Sequence, residues 1–125
     1  MFSDVKLLNL ASAKAQHAAK RHELISENIA NADTPGFKAK DLEPFSQTYS
    51  KAASAARAEG ADEFEIPEWR SFAVNTPGLK SPNGNTVSLE DQMIRSVEAQ
   101  GDHDAAMTVY RKTLDILRLS LGRDA

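Results

Sequence analysis

From Met1 to Ala32 the chain contains neither glycine nor proline and carries apolar or small side chains at helical spacing. Such a stretch, rich in good helix formers, predicts a long N-terminal helix over residues 1–32. Residues three and four positions apart share one seam with a coiled-coil period: Leu8, Ala11, Ala15, Ala18, His22, Ile25, Ile29 and Ala32. The seam is mostly alanine, so a partner helix can approach closely, but each contact buries little apolar area at about 25 cal/mol per Å².

A second long helix is predicted over residues 88–122. Ser88-Leu-Glu-Asp91 has the pattern of a capping box at its start, and Gly122 is a suitable end. One series at spacings of three and four collects mostly large side chains: Leu89, Met93, Met107, Tyr110, Leu114, Leu117 and Leu121. Polar residues interrupt the series in the middle and Gly101 costs about 1 kcal/mol in a helix. We therefore expect a weak point between Gly101 and Asp104.

Residues 33–87 separate the two helices and contain all five prolines. We predict an irregular segment with turns and short strands, the latter at Phe64–Ile66 and Phe72–Val74, where apolar and polar residues alternate. The alanine-rich residues 46–59 fit either a short helix or a mobile excursion. Pro and Gly at the centres of residues 33–38 and 75–80 suit two type II turns.

These elements predict a mainly α fold in one domain, residues 1–125, whose terminal helices pair as an antiparallel coiled coil that buries their two seams against each other. Alanine accounts for 19 of the hydrophobic residues and larger apolar residues for only 32, so the core is thin. Leu7, Leu10 and Leu119 lie off the seams, and exposed apolar surface usually marks a binding interface. The residues alone therefore point to a structural protein that assembles with itself or with partners.

Composition excludes several other functions. The chain has no cysteine, a net charge of -3 and no apolar run long enough for a membrane span or a secretory signal peptide. This charge argues against nucleic acid as the main partner, because that binding needs clustered Lys and Arg. His17 and His22 are five residues apart, on different helix faces, and are expected in solvent or at an interface, as are Lys14, Lys20 and Arg21. We predict no catalytic, cofactor or metal site and no small-molecule substrate.

The sequence Ser26-Glu-Asn-Ile-Ala-Asn-Ala-Asp-Thr-Pro-Gly-Phe-Lys38 resembles the signature of the bacterial flagellar rod, hook and hook-filament axial proteins. In that signature Asn-x-x-Asn leads into Thr-x-Gly-aromatic-basic, and its positions are matched here by Asn28, Asn31, Thr34, Gly36, Phe37 and Lys38. Asn83–Met93, which opens the second helix, is similar to the corresponding stretch of the short rod members. The resemblance covers both ends of the chain and leaves out residues 43–81.

The resemblance implies a structural subunit of the proximal rod that is not an enzyme and that transmits torque. It also implies export through the flagellar type III apparatus without a cleaved signal, and a position in the periplasmic rod of the basal body. The implied partners are other copies of the chain, neighbouring rod proteins, the basal-body protein FliE, the MS ring and the export gate. A soluble helical adaptor or export chaperone is the alternative, because thin cores and amphipathic helices are also common there.

The signature has a physical interpretation as well. Asn28 and Asn31 can bond to backbone groups where the first helix frays, and Pro35 with Gly36 sets a turn that leads the chain away from the helix axis. Phe37 would then anchor the exit against a neighbour. Our hypothesis is that the motif is a structural elbow, formed by Asn28, Asn31, Thr34, Pro35, Gly36, Phe37 and Lys38.

Overall fold

A computed structural model describes residues 2–66, 69–74 and 82–122. Its elements are α1 (Phe2–Ala30), β1 (Lys40–Leu42), α2 (Phe45–Ala58), β2 (Ser71–Ala73) and α3 (Leu89–Gly122). The predicted mainly α fold, with long terminal helices that pack against each other and short strands between them, is confirmed. The second predicted turn, at residues 75–80, lies outside the described residues.

Helices α1 and α3 run antiparallel. Asn28 of α1 bonds to Gln92 of α3, and Arg21, seven residues earlier on α1, bonds to Glu98, six residues later on α3. The two helices therefore run in opposite directions. On each helix one series of buried residues recurs every seven positions: Ala11, Ala18 and Ile25 on α1, and Gln92, Ala99, Ala106 and Thr113 on α3. A seven-residue repeat of buried positions is the pattern of two helices that pack along their length, and here alanine is the commonest residue in it.

Packing on α3 corrects one expectation. Leu89, Met93 and Leu121 are predicted on the seam that faces the first helix, yet they are 53%, 65% and 68% exposed. The α1 face is mostly alanine, and the small residues Ala99 and Ala106 of α3 pack against it, while Gln92 is held in the interface by its hydrogen bond from Asn28. Helix α3 is therefore turned so that its alanines face α1. The remaining members, Met107, Tyr110, Leu114 and Leu117, are half-buried beside the interface.

The structure confirms the predicted start and end of α3 but shows no break at the predicted weak point. The Asp91 N–H donates to the Ser88 hydroxyl at 3.3 Å, so Ser88 caps the helix as predicted. The Asp91 carboxylate, however, accepts from Arg95 at 2.8 Å. Helix α3 continues through Gly101–Asp104, where the sequence indicates a weak point, and Gly122 is its last residue.

The segment between the long helices is more regular than predicted. Residues Phe45–Ala58 form a 14-residue helix, which decides between the two alternatives for this stretch and corrects the prediction of an irregular middle. Gly60, at φ +75°, ends it with the Ala61 N–H donating to Ala56 O and the Gly60 N–H donating to Arg57 O. This pair of bonds is a Schellman motif, which satisfies the last carbonyls of a helix.

The two short strands pair antiparallel, with Asp41 opposite Phe72. The predicted strand at Phe72–Val74 is found one residue earlier, at Ser71–Ala73. Phe64–Ile66, the other predicted strand, is not a strand in the structure. Strand β2 pairs with β1, which follows the elbow motif. Because β1 packs on α1, this pairing ties the middle segment to the helix pair.

Candidate assembly elbow

The end of α1 leads into a tight turn formed by Thr34, Pro35, Gly36 and Phe37. The Phe37 N–H donates to Thr34 O at 3.2 Å, and Gly36 has φ +75° at the third turn position. Proline second and a positive-φ glycine third are the requirements of a type II turn, as predicted. A side chain at position 36 would be strained by the backbone conformation, even though no neighbouring atom lies within 4 Å of the place its Cβ would occupy.

Asn28 joins three elements. Its side chain is almost completely buried, at 1% exposure. Its amide Nδ2 donates to Lys40 O at 2.7 Å and to Gln92 Oε1 at 3.0 Å, while its Oδ1 accepts from the Lys40 N–H at 3.0 Å. One amide therefore satisfies both backbone groups of the first β1 residue and fixes α3 as well. From the sequence, Asn28 is expected to bond backbone groups near its own helix end, whereas in the structure those groups belong to β1.

Asn31 acts locally. Its Nδ2 donates to Glu27 O at 2.8 Å, within the last turn of α1, and its Oδ1 accepts from the Thr34 hydroxyl at 3.0 Å. These bonds close the frayed end of the helix over the turn that follows.

The segment before α3 closes the elbow from the other side. Buried Asn85 donates from Nδ2 to Asn31 O at 2.8 Å and to Thr34 O at 2.7 Å. Gly36 N–H donates to Asn83 O at 2.8 Å, and Lys38 Nζ donates to Gly84 O at 2.9 Å. The elbow is thus made by two segments that lie on opposite sides of α2 in the chain, and both of them carry the family resemblance.

A cluster of charged side chains lies next to the elbow, where β1 bonds to the two long helices: Arg21, Asp41 and Arg95. The Asp41 carboxylate accepts from Arg21 Nε at 3.0 Å and Arg21 Nη2 at 3.1 Å, and also from Arg95 Nη1. Asp41 lies on β1, so these bonds hold the strand between α1 and α3. The prediction that Arg21 lies in solvent or at an interface is wrong, because only 13% of its side chain is exposed.

The charge of Asp41 is maintained despite its burial. Burial favours the neutral acid, but hydrogen bonds from Arg21, from the Leu42 N–H and from Arg95 outweigh it and lower the pKa of Asp41 below its ordinary value. The two arginines each keep a second carboxylate: Arg21 bonds to Glu98 at 3.1 Å and Arg95 to Asp91 at 2.8 Å. The cluster is therefore nearly balanced in charge, as a buried ion group must be.

His17 holds the following segment against α1. It is buried, and its Nε2 N–H donates to Glu43 O at 2.8 Å. Its ring meets Phe45 and Trp69 edge to face, with centroids 5.7 and 5.5 Å apart. The expectation of a solvent or interface histidine is wrong for His17, because the middle segment folds back over this part of the helix. His22 is half-buried.

The predicted site residues fall into two groups in the structure. The elbow residues are brought together, with Phe37 half-buried and Pro35, Gly36 and Lys38 exposed. On the α1 seam Ala11, Ala18 and Ile25 are buried, Leu8, Ala15, His22 and Ala32 are half-buried, and Ile29 is exposed. Among the large apolar residues that the structure describes, the most exposed is Val97, at 73%, on the outer side of α3.

Asp41, Asn85, Gln92 and Arg95 complete the site; Asn85 and Gln92 lie in the Asn83–Met93 stretch that carries the resemblance, but no sequence pattern predicts a bonding role for any of the four. A core with few large apolar residues favours buried polar side chains in general. It does not show which ones are buried, because the bonding partners of these four lie on distant segments of the chain. Within residues 2–66, 69–74 and 82–122 no group of three or more His, Asp and Glu side chains is arranged to hold a metal ion. None of the helices described is long and apolar enough to cross a membrane.

Comparison with known proteins matches both the elbow and the whole chain. The sequence model of the flagella basal body rod protein family matches residues 7–38, which cover most of α1 and the turn. The flagellar basal body rod protein FlgB of Agrobacterium fabrum is 34% identical over 128 aligned residues, covering 95% of each chain. FlgB of Cereibacter sphaeroides is 32% identical, covering 81% of this chain and 82% of its own, and FlgB of Yersinia enterocolitica is 31% identical, covering 73% and 75%.

Proposed function

Because this chain belongs to the FlgB family of flagellar basal body rod proteins, we propose that it builds the proximal rod, links the MS ring and export gate to the rest of the rod, and transmits torque. As a rod protein it is a structural component of the basal body and not an enzyme. Its proposed neighbours are other copies of itself, the other rod proteins and FliE. We also propose that it reaches the periplasmic rod by type III export without a cleaved signal.

The observation that carries this proposal is the antiparallel pair of α1 and α3, with 29 and 34 residues. At 1.5 Å per residue each helix is about 45–50 Å long, which suits a subunit that lies along an axis. The inner face is occupied by alanines and amides, whereas large apolar side chains lie on the outside. Such residues stabilise the protein only when another molecule covers them.

The elbow supports a mechanical role. Torque transmission requires that force on one helix reach the next without the joint unwinding. Here the end of α1, strand β1 and the start of α3 share one set of hydrogen bonds through Asn28 and Asn85 and one ion cluster around Asp41. We propose that this joint keeps the middle segment at a fixed angle to the helix pair in the rod.

The proposal is tested by deleting the chain's own gene and imaging basal bodies. Cells without the chain should form the MS ring but no rod, and expression of the wild-type chain should restore rods and swimming. Gly36→Val should fail to restore them, while Gly101→Ala, in the helical part of α3 where a Cβ meets no atom within 4 Å, should succeed. Intact rods in the deletion strain would overturn the proposed function.

A further inference from the structure

The helix pair has opposite charges at its two ends. Since α1 and α3 are antiparallel, residues 2–15 lie beside residues 105–122, and residues 16–30 lie beside residues 89–104. The first end carries five basic and two acidic side chains: Lys6, Lys14, Arg111, Lys112 and Arg118 against Asp4 and Asp115. The second end carries seven acidic and three basic ones: Glu23, Glu27, Glu90, Asp91, Glu98, Asp102 and Asp104 against Lys20, Arg21 and Arg95.

Each end also has its own uncovered apolar stripe on α3. The acidic-end patch consists of Leu89, Met93, Ile94 and Val97, which are 53–73% exposed, and Glu90 lies on the same side of the helix. The basic-end patch consists of Val109, Ile116 and Leu119, which are 41–67% exposed, with Lys112 on the same stripe. Both patches therefore combine apolar area with a charge, and the two charges have opposite signs.

The two patches carry charges of opposite sign, so each complements the other patch better than it complements a second copy of itself. Their centres are about 20 residues apart on α3, which corresponds to about 30 Å along the helix. If one patch covers the other on a second molecule, the two copies lie side by side with this stagger. A contact between different patches is heterologous, and it continues from copy to copy.

We propose that copies of this chain associate head to tail, with the acidic-end patch of one copy on the basic-end patch of the next. The inference rests on the proposed function, in that it names the surface by which rod subunits join. Opposite charges favour this register and oppose the reversed one, in which acidic ends would meet. The same charges make the association weaker at high salt.

Two variants of the purified full-length chain, each altered in only one of the two patches, test the proposal when they are studied alone and mixed. Val97→Lys places a positive charge in the acidic-end patch, and Leu119→Glu places a negative charge in the basic-end patch. Each variant alone should associate at least tenfold more weakly than wild type in sedimentation velocity, because a charge is buried opposite a like charge. An equal mixture should associate again, since the intact acidic-end patch of the Leu119→Glu copy can cover the intact basic-end patch of the Val97→Lys copy.

Two controls carry the same charge changes at exposed positions of α1 outside both patches: Ser26→Lys at the acidic end and Asn9→Glu at the basic end. They should associate within about twofold of wild type, and all four variants should keep the wild-type far-UV circular dichroism. Undiminished association of Leu119→Glu alone would show a symmetric contact of acidic-end patches and overturn the proposal. A wild-type chain that stays monomeric at low salt and high concentration, or a mixture that does not pair, would also overturn it.

These outcomes are separate from those of the gene deletion. Purified copies that pair as described would support the contact even if basal bodies without the chain kept their rods, which would overturn only the proposed function. Conversely, a deletion strain without rods that is fully restored by Val97→Lys and by Leu119→Glu would retain the function and overturn the head-to-tail contact.

Discussion

Replacing Asp41 by Asn changes one atom and should weaken the connection of β1 to both long helices. The side chain is the only carboxylate, among the described residues, that bonds to Arg21 and Arg95 together. With an amide in its place, one oxygen can still accept from the Leu42 N–H and from Arg21 Nε. The other oxygen becomes an NH₂ group that faces Arg21 Nη2 and Arg95 Nη1, which are donors themselves, so those bonds are lost.

The size of the loss follows from the burial of the three side chains. Removing one partner of a buried ion pair costs about 3–5 kcal/mol, because the remaining charge has no counterion. Here 25% of the Arg95 side chain is exposed, and both arginines keep another carboxylate, Asp91 or Glu98. We therefore expect Asp41→Asn to lower the free energy of unfolding by about 2–3 kcal/mol.

Urea unfolding of the purified chain, followed by circular dichroism, measures this difference. Glu98→Gln is the matched control, because it also neutralises a carboxylate bonded to Arg21, but 57% of the Glu98 side chain is exposed. It should cost less than about 1 kcal/mol. If Asp41→Asn and Glu98→Gln have equal effects, or if Asp41→Asn changes stability by less than about 0.5 kcal/mol, the cluster does not hold β1 in place.

Three further results are expected. Asn28→Ala leaves the part-buried Lys40 backbone groups and the buried Gln92 Oε1 without their partner and should cost about 2–3 kcal/mol in urea unfolding. Asn31→Ala, whose bonds are exposed, should cost less than about 1 kcal/mol. Gly36→Val forces a β-branched residue to positive φ and should destabilise the fold by about 1–2 kcal/mol. Gly101→Ala should stabilise it by up to about 1 kcal/mol, so thermal unfolding should show a lower melting temperature for the first variant and a higher one for the second. The pKa of Asp41 is lower in the folded state, so the contribution of its charge to the free energy of unfolding is complete above the ordinary pKa of about 4 and is lost as pH falls through the folded pKa. The difference in the free energy of unfolding between wild type and Asp41→Asn, measured by urea unfolding, should therefore shrink over that acid range and stay constant from about pH 5 to 7.

Local patterns in the sequence predicted the parts of the fold that local chemistry decides. The turn at Thr34–Phe37 follows from Pro35 and Gly36, which set the backbone angles by themselves. The cap at Ser88 depends on a residue three positions away. The pairing of long terminal helices could be predicted because each helix has a pattern that continues over many turns.

The facing side of α3 could not be predicted in the same way. Periodicity assigns the interface to the stripe with the largest apolar residues, and on α3 that stripe includes Leu89 and Met93. The interface is instead decided by the partner helix, because Ala99 and Ala106 pack against the alanines of α1 and Gln92 bonds to Asn28. The periodicity of one helix does not predict how closely a neighbouring helix will pack against it.

The elbow shows the same limit for polar residues. Asn28 and Arg21 have the pattern of a helix-end residue and a surface charge, since nothing near them in the sequence requires a buried partner. Their partners, Lys40, Gln92 and Asp41, come from β1 and α3. The Asn-rich segment before α3 also carries the family resemblance, but no sequence pattern indicated that it bonds to the first motif.

The composition and the packing lead to one explanation of how this chain is stabilised. Among the described residues the largest fully buried side chains are Gln92 and Asn28, so hydrogen bonds rather than apolar area define the interior. Hydrogen bonds fix geometry but contribute only about 1 kcal/mol each in net stability, whereas burying one Leu or Met contributes about 1.5–3 kcal/mol. The side chains able to contribute this greater stabilisation, such as Met93, Val97 and Leu119, are on the outside. We therefore expect the isolated subunit to have a defined shape and modest stability, and the exposed apolar side chains of α3 can add to that stability only where another molecule covers them.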